Sequence, residues 1–188
     1  MKDTKSYLSK IVQDMPDSGI KDFFDVANTM EGALSLGVGE PDFPTPEHVR
    51  EAAIASIEKG DTKYTDNRGT VELRAAAADY LTKFDLHYDK QDEILITMGA
   101  SEGIDLALRT LVNPGEEVLV AEPSYVSYIP CIELCGGVPV SLKLRAENKF
   151  RLTREQLEEK ITEKSKVLLI SSPNNPLVVF LEGRLIPN

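Results

Sequence analysis

The segment Val118-Leu119-Val120-Ala121, which leads directly into Glu122-Pro123-Ser124-Tyr125, gives the clearest indication of the fold class. Its apolar run is too short for an ordinary helix and too uniformly apolar for a half-exposed strand. It therefore predicts a strand that is buried on both faces. Three other short runs have the same character, namely Ile94–Met98, Val138–Leu142 and Val167–Ile170.

Amphipathic helices are predicted between these runs. The helix that follows Ile94–Met98 carries one apolar face, formed by Ile104, Ala107, Leu108, Leu111 and Val112. The last helix begins with the capping-box pair Thr153 and Gln156. Alternating strands and helices imply right-handed crossovers, so the sequence predicts an α/β fold with a mainly parallel sheet and flanking helices.

Between Ile20 and Thr82 the sequence predicts more helices than strands. A short helix is expected over Ile20–Met30 and a short strand over Leu34–Val38. Thr45 is the expected N-cap of the next helix, with Pro46 at its first position and Gly60 at its end. The apolar face of that helix is expected to comprise Val49, Ala52, Ala53, Ser56 and Ile57. Another helix is expected over Thr70–Thr82, with Leu73, Ala76, Ala77, Tyr80 and Leu81 on its apolar stripe.

Composition narrows the function classes. The 188 residues carry a formal net charge of −10, which argues against nucleic-acid binding because phosphates would meet no basic surface. Met1–Gln13 lacks the apolar segment of a signal peptide, and no run approaches a membrane span, so we expect a cytoplasmic protein. The two cysteines, Cys131 and Cys135, are expected on one buried helix face. His48 and His87 are the only histidines, which disfavours a zinc site or a histidine-based triad.

Three segments are expected at the carboxyl ends of strands, where open α/β sheets bind ligands. Gly99-Ala100-Ser101 opens a helix and suits an anion, Tyr125 can stack on a planar ring, and the amides of Ser171–Pro176 can hydrogen-bond a phenolate or carboxylate. Each segment alone is more typical of an ordinary turn, a half-buried tyrosine or an Asx turn. Together they favour a flat, phosphorylated aromatic cofactor.

Several motifs resemble those of class I aminotransferases of pyridoxal-phosphate fold type I. They occur in the family's order between about Ser18 and Pro176. The motifs are Ser35–Pro46, Lys63-Tyr64-Thr65, Gly69 with Glu72-Leu73-Arg74, Asn113–Val118 and Ser172–Pro176. The resemblance implies a transaminase that moves an amino group from an amino acid to a 2-oxo acid. A non-catalytic fragment, or a parent enzyme that is a carbon–sulfur lyase, remains an alternative.

The resemblance also implies roles for individual residues. Gly99, Ala100 and Ser101 would hold the phosphate of pyridoxal 5'-phosphate, and Tyr125 would stack on its pyridine ring. Asn175 would hydrogen-bond the phenolic oxygen of the ring and contribute to substrate binding. Gly39 would line the site of the substrate's α-carboxylate. In the family, the tyrosine that matches Tyr64 reaches the phosphate of the neighbouring subunit, which implies a homodimer.

The family's catalytic half has no counterpart in this sequence. Family members carry, farther downstream, an aspartate for the pyridine nitrogen, a lysine for the Schiff base and an arginine for the substrate carboxylate. No catalytic residue is therefore assigned, since Lys164 and Lys166 match a variable loop of the family. We expect an N-terminal arm and small-domain segment over residues 1–42, a partial cofactor-binding large domain over 43–176, and little activity.

The last residues depart from the family pattern. The family continues after the position of Pro176 with Thr-Gly, whereas this chain continues with Leu177-Val178-Val179. Restoring one lost base after the Pro176 codon allows a reading with family character. We therefore expect residues 177–188 to be a non-family tail produced by a frameshift. The genomic DNA downstream tests this hypothesis, because the corrected frame should encode the remainder of an aminotransferase.

Overall fold

The computed structural model describes residues 4–16, 26, 29–32, 39 and 41–177. The predicted strand Leu34–Val38 and most of the predicted helix Ile20–Met30 lie outside these residues. The contacts divide the chain into two compact units. The first unit combines Met1–Met15 with Thr97–Asn188, and the second is Pro16–Ile96. The predicted domain boundary near residue 42 stays a prediction.

The first unit is built on a three-stranded parallel sheet. Its strands are β1 (Glu117–Glu122), β2 (Val138–Lys143) and β3 (Ser165–Leu169), in the spatial order β2-β1-β3. Both neighbouring pairs are parallel, and Leu119 of β1 lies opposite Val140 and Leu168. This confirms three of the four predicted strands. It also confirms that they alternate with helices and run parallel.

Six α-helices have both of their ends among the described residues. In chain order they are α1 (Lys10–Asp14), α2 (Glu47–Glu58), α3 (Val71–Leu81), α4 (Gly99–Leu111), α5 (Tyr128–Leu134) and α6 (Arg154–Lys160). Short 3-10 helices span Thr4–Tyr7, Thr82–Phe84 and Ala146–Asn148. No helix in the described part of the chain is long and apolar enough to cross a membrane.

Strand β1 is buried on both faces, as its uniform apolar character predicts. Val118 and Val120 belong to a core cluster with residues of α4 and α5, including Leu108 and Ile132. Leu119 and Ala121 point to the other face and belong to a second cluster with Leu142, Leu144, Leu152 and Leu157. The sheet is thus covered on both sides, which is the arrangement expected of parallel strands.

The prediction of a strand over Ile94–Met98 is wrong. In the described structure this segment joins no sheet, and the Ile96 N–H donates instead to the Arg68 carbonyl at 3.0 Å. An apolar run favours burial, but here Leu95 and Met98 are exposed, and a strand also needs a neighbouring strand that completes its hydrogen bonds. The helix that follows also differs in detail, because Leu111 is half exposed and the buried Val112 is its C-cap rather than part of it.

In the described part of the second unit, the two helices predicted after residue 44 are present as α2 and α3, and neither has a buried apolar residue. Pro46, not Thr45, is the N-cap of α2, and Gly60 follows its end with a positive φ of 78°. No residue of α2 is buried, and Val49 and Ile57 are exposed. The predicted apolar face is thus mostly exposed in the described structure.

Helix α3 buries a charged residue instead of its apolar stripe. Its N-cap is Thr70, whose hydroxyl accepts the Leu73 N–H at 3.3 Å, while Leu73 itself is half exposed. The buried residue is Arg74, with 1% of its surface exposed. Its guanidinium donates to the carbonyl oxygens of Gly69, Lys90 and Gln91. These carbonyl acceptors compensate the cost of removing the cation from water.

The cysteines lie near the end of α5. Cys131 is buried within the helix, and Cys135 is the partly buried C-cap just beyond it. Both are free thiols. Burial raises the pKa of the Cys131 thiol, which keeps it protonated at neutral pH.

Candidate functional site

Two of the three predicted segments follow neighbouring parallel strands. Tyr125 lies in the connection between β1 and α5, and Ser171–Pro176 follows β3. Because β1 and β3 are adjacent and parallel, their carboxyl ends lie at the same edge of the sheet. This edge is where open α/β folds place their ligands.

The third segment, at the start of α4, contacts the first through hydroxyl groups. The Ser101 Oγ lies 3.1 Å from the phenolic oxygen of Tyr125 and 3.2 Å from the Oγ of Ser127. These three hydroxyls form a group that we call the hydroxyl cluster. Two of the segments singled out from the sequence are therefore brought together, and Ser127 joins them.

The first turn of α4 presents backbone donors beside the hydroxyl cluster. Gly99 has a φ of 81°, a left-handed conformation that glycine adopts without strain. Its N–H donates to the Thr97 carbonyl, and the Met98 N–H donates to the Glu102 carboxylate. The N–H groups of Ala100 and Ser101 lie in the first turn, where a helix offers them no carbonyl acceptor. Together with the helix dipole, these groups favour an anion.

Tyr125 is held by polar and aromatic neighbours. Its ring meets that of Tyr128 edge to face, with centroids 5.7 Å apart and planes at 81°. Hydrogen bonds from Ser101 and, second, from Ser127 lower the pKa of Tyr125 below its usual value. The hydroxyl cluster therefore stabilises a negative charge on the phenolic oxygen.

The two asparagines after β3 differ in burial. Asn174 is buried, and its Oδ1 accepts the Leu177 N–H at 3.3 Å. The Ser171 hydroxyl donates to the Pro173 carbonyl at 3.0 Å, which also shapes the turn. Asn175, the asparagine predicted from the resemblance, is exposed at the same edge of the sheet. Asn174 thus stabilises the turn and leaves Asn175 as the amide that a ligand could reach.

The remaining predicted site residues, Tyr64 and Gly39, belong to the second unit. The Tyr64 side chain is fully exposed, and, apart from its chain neighbours, no described residue has an atom within 4 Å of the position that a Cβ on Gly39 would occupy. Ser127 is the residue that sequence reasoning missed. A lone serine two positions after Tyr125 matches no motif, and only the fold brings it to Ser101 across 26 positions of sequence.

Comparisons with known proteins agree on one family. The family model for aminotransferase class I and II matches residues 31–181, which includes the first residues of the predicted tail. YugH of Bacillus subtilis, whose name describes it as an aminotransferase, is 50% identical over 172 residues, covering 91% of this chain and 45% of YugH. The aromatic-amino-acid aminotransferase 2 of Thermococcus litoralis is 42% identical over 170 residues, covering 90% of this chain and 44% of that enzyme.

Solved structures give the same result for the fold. The aspartate aminotransferase of Thermotoga maritima superposes with a TM-score of 0.84 at 36% identity, covering 90% of this chain and 46% of that one. The fold is thus a partial large domain of fold-type-I aminotransferases, which use pyridoxal phosphate. The chain spans less than half the length of the curated relatives cited above. The chain belongs to the class I and II aminotransferase family.

Proposed function

We propose that this chain carries the phosphate and ring sites for pyridoxal 5'-phosphate of an aminotransferase that acts on an amino acid and a 2-oxo acid. The observation that supports this proposal most strongly is the hydroxyl cluster at the start of α4, which joins Ser101 to Tyr125 at 3.1 Å. It brings an anion-binding helix start and an aromatic ring together at the edge of the sheet where family members bind their cofactor.

The residues at the start of α4 fit a phosphate group. Ala100 and Ser101 contribute first-turn N–H groups, and Ser101 adds a hydroxyl donor. Gly99 leaves open space, since a Cβ there would meet no atom within 4 Å. Glu102 places an unfavourable charge in the same turn, although its carboxylate already accepts the Met98 N–H. The three donors and the helix dipole together outweigh this charge, so the start of α4 favours a phosphate.

The other residues have distinct proposed roles. Tyr125 stacks on the pyridine ring, and the exposed Asn175 amide donates to its phenolic oxygen. Asn175 also contributes to substrate binding, the backbone at Gly39 is assigned to the substrate's α-carboxylate, and Tyr64 is assigned to the phosphate bound by the second subunit of a homodimer. When bound, pyridoxal phosphate supplies the electron sink that transamination requires.

The chain alone is proposed to bind the cofactor without turning it over. The family's Schiff-base lysine has no matching position in the 188 residues. Ser101, Tyr125 and Asn175 can bind and orient the cofactor, but none of them can replace a lysine amine in a covalent anchor. Turnover therefore requires residues from beyond the part of the family that this chain covers.

Absorbance spectroscopy and equilibrium dialysis test this proposal. We expect the full chain to bind pyridoxal phosphate, and Ser101→Ala to weaken that binding about tenfold, the loss of roughly one charge-assisted hydrogen bond. Ser124→Ala is the matched control, because Ser124 lies beside Tyr125 in the connection between β1 and α5 but outside the hydroxyl cluster. Equal affinities for the wild type and Ser101→Ala would refute the phosphate site.

Borohydride reduction followed by peptide mapping tests the second part. We expect no label, or label scattered over surface lysines. Label concentrated on one lysine would show a working covalent site and would overturn the claim that this chain lacks its anchor.

A further inference from the structure

The hydroxyl cluster has a limited number of protons to share. A serine hydroxyl donates one hydrogen bond and accepts up to two. The Ser101 Oγ already has two hydroxyl neighbours, at 3.1 and 3.2 Å. If both neighbours donate to Ser101, its own proton is left for a third acceptor. If either neighbour accepts from Ser101, that proton is not available to a ligand.

Ser127 is unusual for its position, because it is the N-cap of α5 and yet makes no capping hydrogen bond with its side chain. A serine N-cap normally accepts the N–H of the second or third helical residue. In α5 the third residue is Pro130, which has no N–H to donate, and Ser127 has an αR backbone, with φ −78° and ψ −14°, instead of the non-helical backbone of a capping serine. The Ser127 hydroxyl is therefore available for another partner, and that partner is Ser101 at 3.2 Å.

We propose that Ser127 is a positioning residue, which donates its proton to the Ser101 Oγ and so directs the Ser101 proton towards a phosphate-type anion at the start of α4. This inference rests on the proposed function and extends it to a residue outside the predicted site. Hydrogen bonds in a chain polarise one another, so a Ser101 hydroxyl that accepts two bonds is also a stronger donor to the anion.

Tyr125 responds to the same arrangement. Its phenolate and a bound anion compete for the Ser101 proton, so anion binding raises the pKa of Tyr125. The groups that affect its titration are the hydroxyls of Ser101 and Ser127 and the thiol of Cys131, and the Tyr128 ring packs against its own. Without an anion, the Ser127 hydroxyl can turn from Ser101 and donate its proton to the Tyr125 phenolate, so removing this hydroxyl also raises the pKa of Tyr125.

Binding measurements on the full chain test the positioning role. Pyridoxal phosphate, pyridoxal and inorganic phosphate are titrated against the wild type, Ser127→Ala, Ser127→Thr and the control Ser124→Ala. We expect Ser127→Ala to weaken binding of pyridoxal phosphate and inorganic phosphate about fivefold to tenfold, the effect of one hydrogen bond. Pyridoxal binding should not change, and Ser127→Thr should restore the affinity. An unchanged phosphate affinity in Ser127→Ala would overturn the proposal.

Tyrosine NMR separates failure of this proposal from failure of the proposed function. The chain is labelled with 13C at the tyrosine Cζ, and the Tyr125 signal is assigned by its loss in Tyr125→Phe. We expect Ser127→Ala, but not Ser124→Ala, to move the Tyr125 titration to higher pH. If the wild type binds neither phosphate compound, the proposed cofactor site is wrong. In that case the positioning role is wrong as well. A shift of the Tyr125 titration in Ser127→Ala would then show only that the hydroxyl cluster is hydrogen-bonded as described.

Discussion

At the scale of single residues, Asp66 links the loop before α3 to two arginines. Its Oδ1 accepts the Arg68 backbone N–H at 2.8 Å, and its Oδ2 lies 3.9 Å from the Arg74 guanidinium. The hydrogen bonds from the backbone and side chain of Arg68 lower the pKa of the Asp66 carboxyl. A carboxyl with a lowered folded-state pKa stabilises the fold above its unfolded pKa, and this stabilisation disappears as the pH falls through the folded pKa.

Asp66→Asn is therefore expected to reduce the dependence of stability on acid. Between about pH 5 and pH 2 the free energy of unfolding should fall less steeply for Asp66→Asn than for the wild type. Urea denaturation at each pH measures this difference. Asp79→Asn serves as the control, since its exposed carboxylate has no hydrogen bond or ion pair to a described residue. Parallel pH profiles for the wild type and Asp66→Asn would contradict the prediction.

Gly69 has two reasons to be glycine, a positive φ and a close contact with Ile96. Comparing its substitution with that of Gly60 separates them. It has a φ of 91°, and a Cβ there would approach the Ile96 Cγ1 to 2.6 Å and the Ile96 Cβ to 2.7 Å. Gly60 has a φ of 78°, but a Cβ there would meet no atom within 4 Å, so Gly60→Ala carries the backbone strain alone. We expect Gly60→Ala to cost about 1–2 kcal/mol and Gly69→Ala to cost clearly more. Chemical denaturation of both variants tests this, and equal losses would exclude the steric contact.

At the scale of elements, the capping box connects α6 to the sheet. The Thr153 hydroxyl accepts the Gln156 N–H at 3.3 Å, and the Gln156 Oε1 accepts the Thr153 N–H at 3.1 Å. The Gln156 Nε2 also donates to the Lys143 carbonyl at 2.9 Å. Lys143 ends β2, an outer strand of the described sheet. The side chain of one glutamine therefore hydrogen-bonds the Thr153 N–H at a helix start and the Lys143 carbonyl at a strand end.

Thr153→Ala is expected to destabilise the first unit by about 1 kcal/mol, the usual cost of losing an N-cap side chain. Thr153→Ser keeps the oxygen acceptor and should lose much less. Hydrogen exchange of the α6 amides is the most direct measurement, because fraying begins at an uncapped end. Unchanged α6 exchange in Thr153→Ala would show that the cap contributes nothing.

At the scale of the whole molecule, the first unit depends on β1 being covered on both faces. Ile132 of α5 lies in the cluster that covers one face and is fully buried, with 0% of its surface exposed. Ile161, just beyond α6, is 55% exposed. The two residues offer the same truncation in opposite environments.

Ile132→Ala is expected to cost about 2–5 kcal/mol, because it removes buried methylene groups and leaves a cavity. Ile161→Ala should change the unfolding free energy by less than about 1 kcal/mol. Urea denaturation monitored by circular dichroism provides both values. Similar losses in the two variants would mean that α5 does not pack on the sheet as described.

Much of the fold could be predicted from local patterns alone. The uniform apolar runs at β1, β2 and β3 predict strands of a parallel sheet, and Thr153 with Gln156 predicts the start of α6. The three segments of the candidate site were also identified from the sequence, because strand ends and helix starts can be located from local periodicity. These features depend on residues within a few positions of one another.

Features that depend on distant partners could not be predicted, because they arise when the elements pack together. Ile94–Met98 has the composition of a strand but, in the described residues, forms a backbone bond to the Arg68 loop instead of joining the sheet. Arg74 can be buried because carbonyl groups up to 17 positions away accept hydrogen bonds from its guanidinium. Ser127 reaches Ser101 across 26 positions because the fold sets the start of α5 beside that of α4. A sequence pattern shows which side chains are apolar, whereas burial and the choice of hydrogen-bond partner are settled only when the elements pack.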